Sequence, residues 1–323
     1  DSQAKVEAIA SDLEIDSHNK DQKISMLEQR DMLTGLLNRK SFISAITLIK
    51  AKNNQHRSLN GFVHIDIEKL HNVNQNYGHQ YGDHIITKVG EVLKNIDKFY
   101  DTCSARYGND EFTIHIKVNT EEEILKFIAT IKKQLSVYFQ LDNIRVKPDY
   151  YFGYYIGDDS ISINQAMRNA YLAVTQGKKS NTRVCCYDTK IQEDQQRNQY
   201  LRYHLKAAIG AENFFMNFQP IVRCSNQEVH SFEALVRWKL ENKNISPAEF
   251  ISVAEEHGLI VELGQLILKM SIEALADMNK THPSISISIN VSVIQLEDDD
   301  FISYLQFIMN KYSVNPANVH LEI

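Results

Sequence analysis

The chain holds 323 residues, 43% hydrophobic and 24% charged, and its 35 Lys and Arg against 41 Asp and Glu leave a net charge of −6. That balance excludes a broad basic surface for nucleic acid while leaving room for a local cationic pocket for a nucleotide, and no uncharged apolar run approaches the roughly 20 residues that span a bilayer. At roughly 150 residues per domain the length predicts two domains, each able to bury a core.

Residues 1–30 place Val6, Ile9, Leu13, Ile24 and Leu27 at helical intervals in a charged background without Gly or Pro, which predicts a long helix. The seam breaks at Asp16, Ser17 and Lys20, so a two-stranded signalling coil and a single packed helix both stay open. From Asp31 the pattern predicts a helix at 38–52, a strand "GFVHIDI" at 61–67, a helix at 82–97 and a hairpin in "CSARYGNDEFTIHI". A helix at 120–139, a strand "YYFGYYI" and a helix at 163–176 follow. Alternating strands and helices indicate an α/β sandwich with a mixed sheet. The stretch "DTKIQEDQQRNQYLRYHLKAAI" reads as a linker helix, which divides the chain into 1–30, 31–188, 189–210 and 211–323.

Beyond the linker, "FFMNFQPIV", "HSFEALVRW", "SISISINVS" and "VHLEI" carry the βα rhythm of a barrel. Half a barrel leaves open edges, so the natural protein is expected to continue past Ile323. With a start at Asp1, without Met or a signal peptide, and a stop at "HLEI", both ends are expected to be cut, so that a membrane or sensor segment is open as an expectation only outside these residues. Cys103, Cys185, Cys186 and Cys224 show no zinc-ligand spacing and fit a reducing cytoplasm.

Asp66 ends an apolar strand with Glu68 two residues on, and Asp110 and Glu111 stand at the hairpin tip. On neighbouring strands their oxygens would converge as Mg²⁺ prefers, with a few carboxylates plus substrate phosphates; acidic turn residues facing water are the other reading.

The ordered motifs "DMLTGLLNRKSF", "DIEKLHNVNQNYGHQYGD" and "ARYGNDEF" resemble the GGDEF family, diguanylate cyclase domains that condense two GTP into cyclic di-GMP, over about 31–188. The resemblance implies metal binding by Asp66 and Asp110 with Glu111 beside them, guanine contacts from Asn74 and Asp83, and a phosphate contact from Lys178. The chain departs from the pattern at His71 and Val174, where the family usually has phosphate-contacting lysines, and at Asn109, which replaces the second glycine of the signature. Glycine leaves room for phosphates and for unusual backbone angles. Asparagine tolerates left-handed angles, so the turn is expected to survive, but its side chain is expected to fill the approach space. With room and positive charge both reduced around a charged transition state, cyclase activity is not expected. The family's inhibitory Arg-x-x-Asp falls on Phe99 and Thr102, which do not fit it.

In "FEALVRW", Glu233 is expected at the end of a barrel strand with Arg237 four residues on, and an acid at such an end is a metal-ligand candidate. Together with "FQPIV", "SPAEFISVAEEHGLI", "SINVSVIQL" and "VHLEI", it resembles the EAL family of cyclic di-GMP phosphodiesterases from about 211 onward. The resemblance implies metal coordination by Glu233, Asn290 and Glu322, phosphate contact by Arg237, and Mg²⁺ or Mn²⁺ as the cofactor that activates a water. A strand-end cap at Asn290 and a surface acid at Glu322 are the bland alternatives, and Trp238 reads as core. The family's later aspartate pair, lysine and glutamate have no counterpart before Ile323.

The fold expected is therefore a GGDEF-type α/β sandwich with a mixed sheet, followed by part of an EAL (β/α)8 barrel. The function expected is cyclic di-GMP signalling: a degenerate cyclase domain, with GTP as a candidate ligand, coupled to a phosphodiesterase that opens cyclic di-GMP to the linear dinucleotide. A non-catalytic cyclic di-GMP receptor is the alternative, and a residual cyclase the third reading. The resemblance also implies a homodimer through the N-terminal helix, because cyclase domains of this type act in pairs.

Overall fold

A computed structural model describes residues 28–52, 59–141, 144–211 and 213–323, and the chain divides into two units between Gln192 and Glu193. The helix expected over 1–30, and the dimer surface assigned to it, lie outside the described residues except for the last three positions.

In the first unit, β1 (Leu37–Asn38) leads into α1 (Arg39–Lys52), β2 (Leu59–Ile67), α2 (Leu70–Tyr77), α3 (His79–Phe99), β3 (Thr102–Arg106) and β4 (Glu111–Val118). There follow α4 (Glu121–Leu135), β5 (Phe139–Leu141), β6 (Ile144–Val146), β7 (Tyr150–Gly157), α5 (Ile163–Lys179) and β8 (Val184–Cys186). Six strands form one mixed sheet in the order β1-β3-β4-β2-β7-β8. Its outer pairs β1·β3 and β7·β8 are parallel and its inner pairs antiparallel.

Period-two alternation along β2 sorts the sheet into two faces. Val63, Ile65 and Ile67 join Phe112 and Ile114 in a core under α3 and α4, while Phe62 packs with Phe42, Ile46, Ala166 and Ala170 under α1 and α5. His64 and Asp66 alternate with the apolar set and therefore share the α1/α5 side with Phe62.

Two elements differ from the sequence expectation. The helix expected at 82–97 runs over His79–Phe99 and is preceded by α2, the two being separated by Gly78 at φ 91, a backbone angle that glycine adopts without strain. The helix expected to reach 139 stops at Leu135, and the aromatic and β-branched residues after it form the small antiparallel pair β5·β6 instead.

In the second unit, α6 (Thr189–Gly210), which starts just before the division, is followed by β9 (Phe214–Val222), β10 (Val229–Leu240), β11 (Lys243–Ile245), α7 (Pro247–Glu256) and α8 (Ile260–Asn279). Then come β12 (Ser286–Asn290), α9 (Val293–Leu296), α10 (Phe301–Lys311) and β13 (Val319–Glu322). The later half of α6 is more than a linker, since Leu201, Leu205 and Ala208 are buried in this unit's core. Strands β10, β12 and β13 run parallel, whereas β9 and β11 pair with β10 antiparallel. The sheet is therefore open, and its first connection is a hairpin rather than a βα crossover.

The β10 side chains Ala234, Val236 and Trp238 join Ile287, Ile289 and the helices in the core. Trp238 is fully buried, with Phe214 stacked at 5.8 Å and Phe250 edge-on at 5.7 Å. The alternate residues Glu233 and Arg237 thus fall on the opposite face.

Candidate functional site

At the first unit's sheet end, antiparallel register pairs Asp66 on β2 with Glu111 on β4, and the Ile67 amide donates to the Asp110 carbonyl at 3.1 Å. This brings Asp66 and Asp110 into one cleft of about 320 Å³ whose walls include Glu68, His71, Tyr151 and Lys178. Each of three carboxylates around it meets a group the chain itself supplies. Lys178 Nζ lies 2.6 Å from Asp66 Oδ2, Arg183 bonds Glu68 and sits over the Tyr151 ring at 4.4 Å, and His64 Nε2 stands 3.7 Å from Glu111 Oε2, too far for a hydrogen bond.

These contacts set the acidities. Burial pushes the Asp66 carboxyl above the usual range, with the charges of Asp110 and Glu111 adding to the rise and Lys178 opposing it. The hydrogen bond from Arg183 holds Glu68 below its usual range, and the approach of His64 does the same for Glu111. Asp66 Oδ1 and both His64 ring nitrogens are buried without a hydrogen-bond partner, and the Tyr107 and Tyr171 rings meet the imidazole edge-on at 5.0 and 5.4 Å.

The signature turn rests on a residue whose role the sequence reading missed. Arg106 Nε and Nη2 donate to the carbonyls of Gly108 and Asn109 at 3.1 and 2.7 Å, and Nη1 pairs with Asp31 at 3.2 Å. Asp31 also accepts from the Thr34 amide and hydroxyl at 2.8 and 2.7 Å. Burial alone would raise its carboxyl, but the hydrogen bonds from Thr34 and the charge of Arg106 hold it below the usual range. Held this way, neither Gly108 nor Asn109 takes a positive φ. The expected turn is present, with no left-handed angle at Asn109. Asn109 is exposed and lies outside the lining of the cleft, so its side chain does not fill it.

His71 is exposed and lines the cleft. Val174 does not; it is 2% exposed on the sheet side of α5, so close to Gly153 of β7 that a Cβ there would collide with the helix backbone. Asn74 sits one helical turn beyond His71 on α2, its Oδ1 buried without a partner against Gly82, while Asp83 is exposed in the first turns of α3. The guanine-contact candidates therefore lie at the α2–α3 elbow rather than among the carboxylates. His64 was legible from spacing, since residues i and i+2 of a strand share a face; Arg183 carries no such signal.

In the second unit, Glu233, Arg237, Asn290 and Glu322 come to one face of the sheet. Asn290 is the partner of Glu322 in the parallel β12·β13 register, and Asn290 Nδ2 donates to Glu233 Oε1 at 2.9 Å. Asn290 and Glu322 end their strands, but Glu233 lies inside β10, because the hairpin with β11 carries that strand on to Leu240. It is nonetheless level with the end of the parallel pairing, which stops at Ala234 and Ile289. Arg237 is turned back on its own strand, Nη1 donating to the Val236 carbonyl at 2.9 Å. Just beyond β12, the Ser292 hydroxyl donates to Glu255 at 2.6 Å, and with Gln295 it forms a capping box that starts α9.

A family model described as "Diguanylate cyclase, GGDEF domain" matches residues 28–183, and one described as "EAL domain" matches 202–323. The cyclic di-GMP phosphodiesterase PdeR of Escherichia coli is 26% identical over 94% of this chain, which spans 46% of that protein. The bifunctional diguanylate cyclase/cyclic di-GMP phosphodiesterase MucR of Pseudomonas aeruginosa is 25% identical over 80% of this chain, and the match spans 38% of its length. The solved S helix-GGDEF-EAL structure of Vibrio cholerae LapD covers 95% of this chain and 72% of its own at a TM-score of 0.54 and 16% identity, a likeness of fold.

Proposed function

The chain belongs to the tandem GGDEF–EAL proteins, and from that premise we propose that it acts in cyclic di-GMP signalling, with the second unit as the hydrolytic half and the first as a regulatory domain that does not cyclise GTP. The observation that carries this reading is the convergence of Glu233, Asn290 and Glu322 at the ends of adjacent parallel pairings.

The donor set fits a hard divalent cation. The Asn290 amide bonds only one oxygen of Glu233, which leaves the other oxygen of Glu233, the Asn290 carbonyl and the Glu322 carboxylate as oxygen donors. Mg²⁺ or Mn²⁺ held by these residues would neutralise a phosphodiester and activate a water. The chain's own residues do the positioning: the Asn290 amide orients Glu233, and Arg237, released from the Val236 carbonyl, would grip the phosphate through its guanidinium fork.

In the first unit, Asn74 and Asp83 supply the donor and acceptor that a guanine edge requires, which makes a guanine nucleotide such as GTP the proposed ligand of that domain. A cytoplasmic setting and a homodimer belong to the same proposal. Hydrolysis of cyclic di-GMP by the protein carrying this chain, with Mg²⁺ or Mn²⁺, tests the reading: turnover that falls at least about 10²-fold in Glu233→Ala is expected. Tight binding of the dinucleotide with no turnover, indifferent to metal, would replace it with a receptor.

A further inference from the structure

The first unit's cleft draws its counter-charges from the chain. Lys178 Nζ lies 2.6 Å from Asp66 Oδ2, and it stands in the last turn of α5, where the partial negative charge of a helix C-terminus favours a cation. The Asp66 end of the pair is only 3% exposed, so little water competes for that oxygen. Nearby, Arg183 occupies Glu68 and His64 stands against Glu111.

Without a nucleotide's phosphates, a divalent cation needs several free protein oxygens converging on one point. Among the described residues of either unit, no three His, Cys, Asp or Glu side chains are grouped that way, and in this cleft Asp110 is the carboxylate left beside Asp66. The remaining oxygen of Asp66, Oδ1, is buried and unpartnered; an ion placed on it would lie beside the Lys178 ammonium, a like charge at close range. The metal implied for this cleft by the family resemblance therefore does not fit the residues as they stand when no nucleotide supplies phosphate oxygens.

We infer that Lys178 is a built-in substitute for the metal ion, holding Asp66 in an ion pair and keeping divalent cations out of the first unit's cleft. The inference rests on the reading of this unit as non-catalytic and concerns the metal of its cleft alone, since Lys178 is itself a position that the family pattern keeps. In the cleft without a nucleotide, Lys178 is the residue whose release would admit a metal ion.

Mn²⁺ titration of the whole chain, followed by the electron paramagnetic resonance signal of the free ion, tests it. Wild type and Asp66→Asn are expected to bind the same number of ions, because sites in the second unit are common to both. Lys178→Ala is expected to gain one site, about tenfold or more tighter than any residual binding there, which Asp66→Asn in the same chain removes. Lys178 is 44% exposed, so the substitution is not expected to unfold the domain, and Lys178→Gln with a far-ultraviolet circular dichroism spectrum guards that point. A Mn²⁺ site already present in wild type and lost in Asp66→Asn overturns the inference, as does a folded Lys178→Ala that gains none. Cyclic di-GMP hydrolysis, measured on the same variants and on Glu233→Ala, reads the proposed function separately: it is expected to depend on Glu233 however the Mn²⁺ count falls.

Discussion

The two units present acidic side chains at a sheet end in opposite electrostatic states. In the first, Asp66, Glu68 and Glu111 lie against Lys178, Arg183 and His64; in the second, Glu233 meets the neutral amide of Asn290. A carboxylate already paired with an ammonium or guanidinium has little to gain from a metal ion, whereas one oriented by an amide keeps its charge available. Acidic residues at corresponding places in two sheets are thus not equivalent, because the partner each one meets differs.

The comparison can be broken first at the level of independent stability. Phe250→Ala removes a fully buried ring packed on Trp238, and the second unit is expected to lose about 3–5 kcal/mol. Trp238 is the chain's single tryptophan, so its fluorescence reports that loss in a denaturant titration. Next, Arg106→Ala should cost the first unit about 1–3 kcal/mol, because the carbonyls of Gly108 and Asn109 and the carboxylate of Asp31 lose their donor. That loss is expected in the amide exchange of the signature turn, with the Trp238 fluorescence transition unmoved.

Acid sharpens the same contrast. Asp31 and Glu68 are held below their unfolded values. Their contribution is therefore present above the unfolded carboxylate values, about 4, and is lost as pH falls through the lower folded ones. Exchange protection at the first unit's turn should decline below about pH 4, and Arg106→Ala should flatten that decline. The smallest effect belongs to Asn109→Gly: Asn109 is exposed and its φ is not positive, so stability is expected to change by no more than about 1 kcal/mol, as measured by the same exchange experiment.

Much of this was legible in the sequence. Period-two alternation in "GFVHIDI" and the order of the motifs placed β2, the hairpin and the acids at its tip, and the parallel strands brought Asn290 and Glu322 side by side as expected. The contacts that distinguish the two units were not. Lys178 and Asp66 are 112 residues apart, and their meeting depends on how α5 lies across the sheet, which no local pattern encodes. Val174 was read as a vacant cation position because its neighbours match the motif, yet its side of α5 packs on Gly153. Glu233 was expected at a strand end because the antiparallel continuation of β10 into β11 leaves no punctuation in "FEALVRWKL".

The most direct measurement compares Asp66→Asn with Glu233→Ala in the protein carrying this chain, each assayed with GTP and with cyclic di-GMP in the presence of Mn²⁺. The account predicts that neither wild type nor either variant makes cyclic di-GMP from GTP, that Asp66→Asn hydrolyses cyclic di-GMP, and that Glu233→Ala does not. Synthesis of cyclic di-GMP by wild type that disappears in Asp66→Asn would contradict it, because chemistry would then reside in the cleft that Lys178 is said to close.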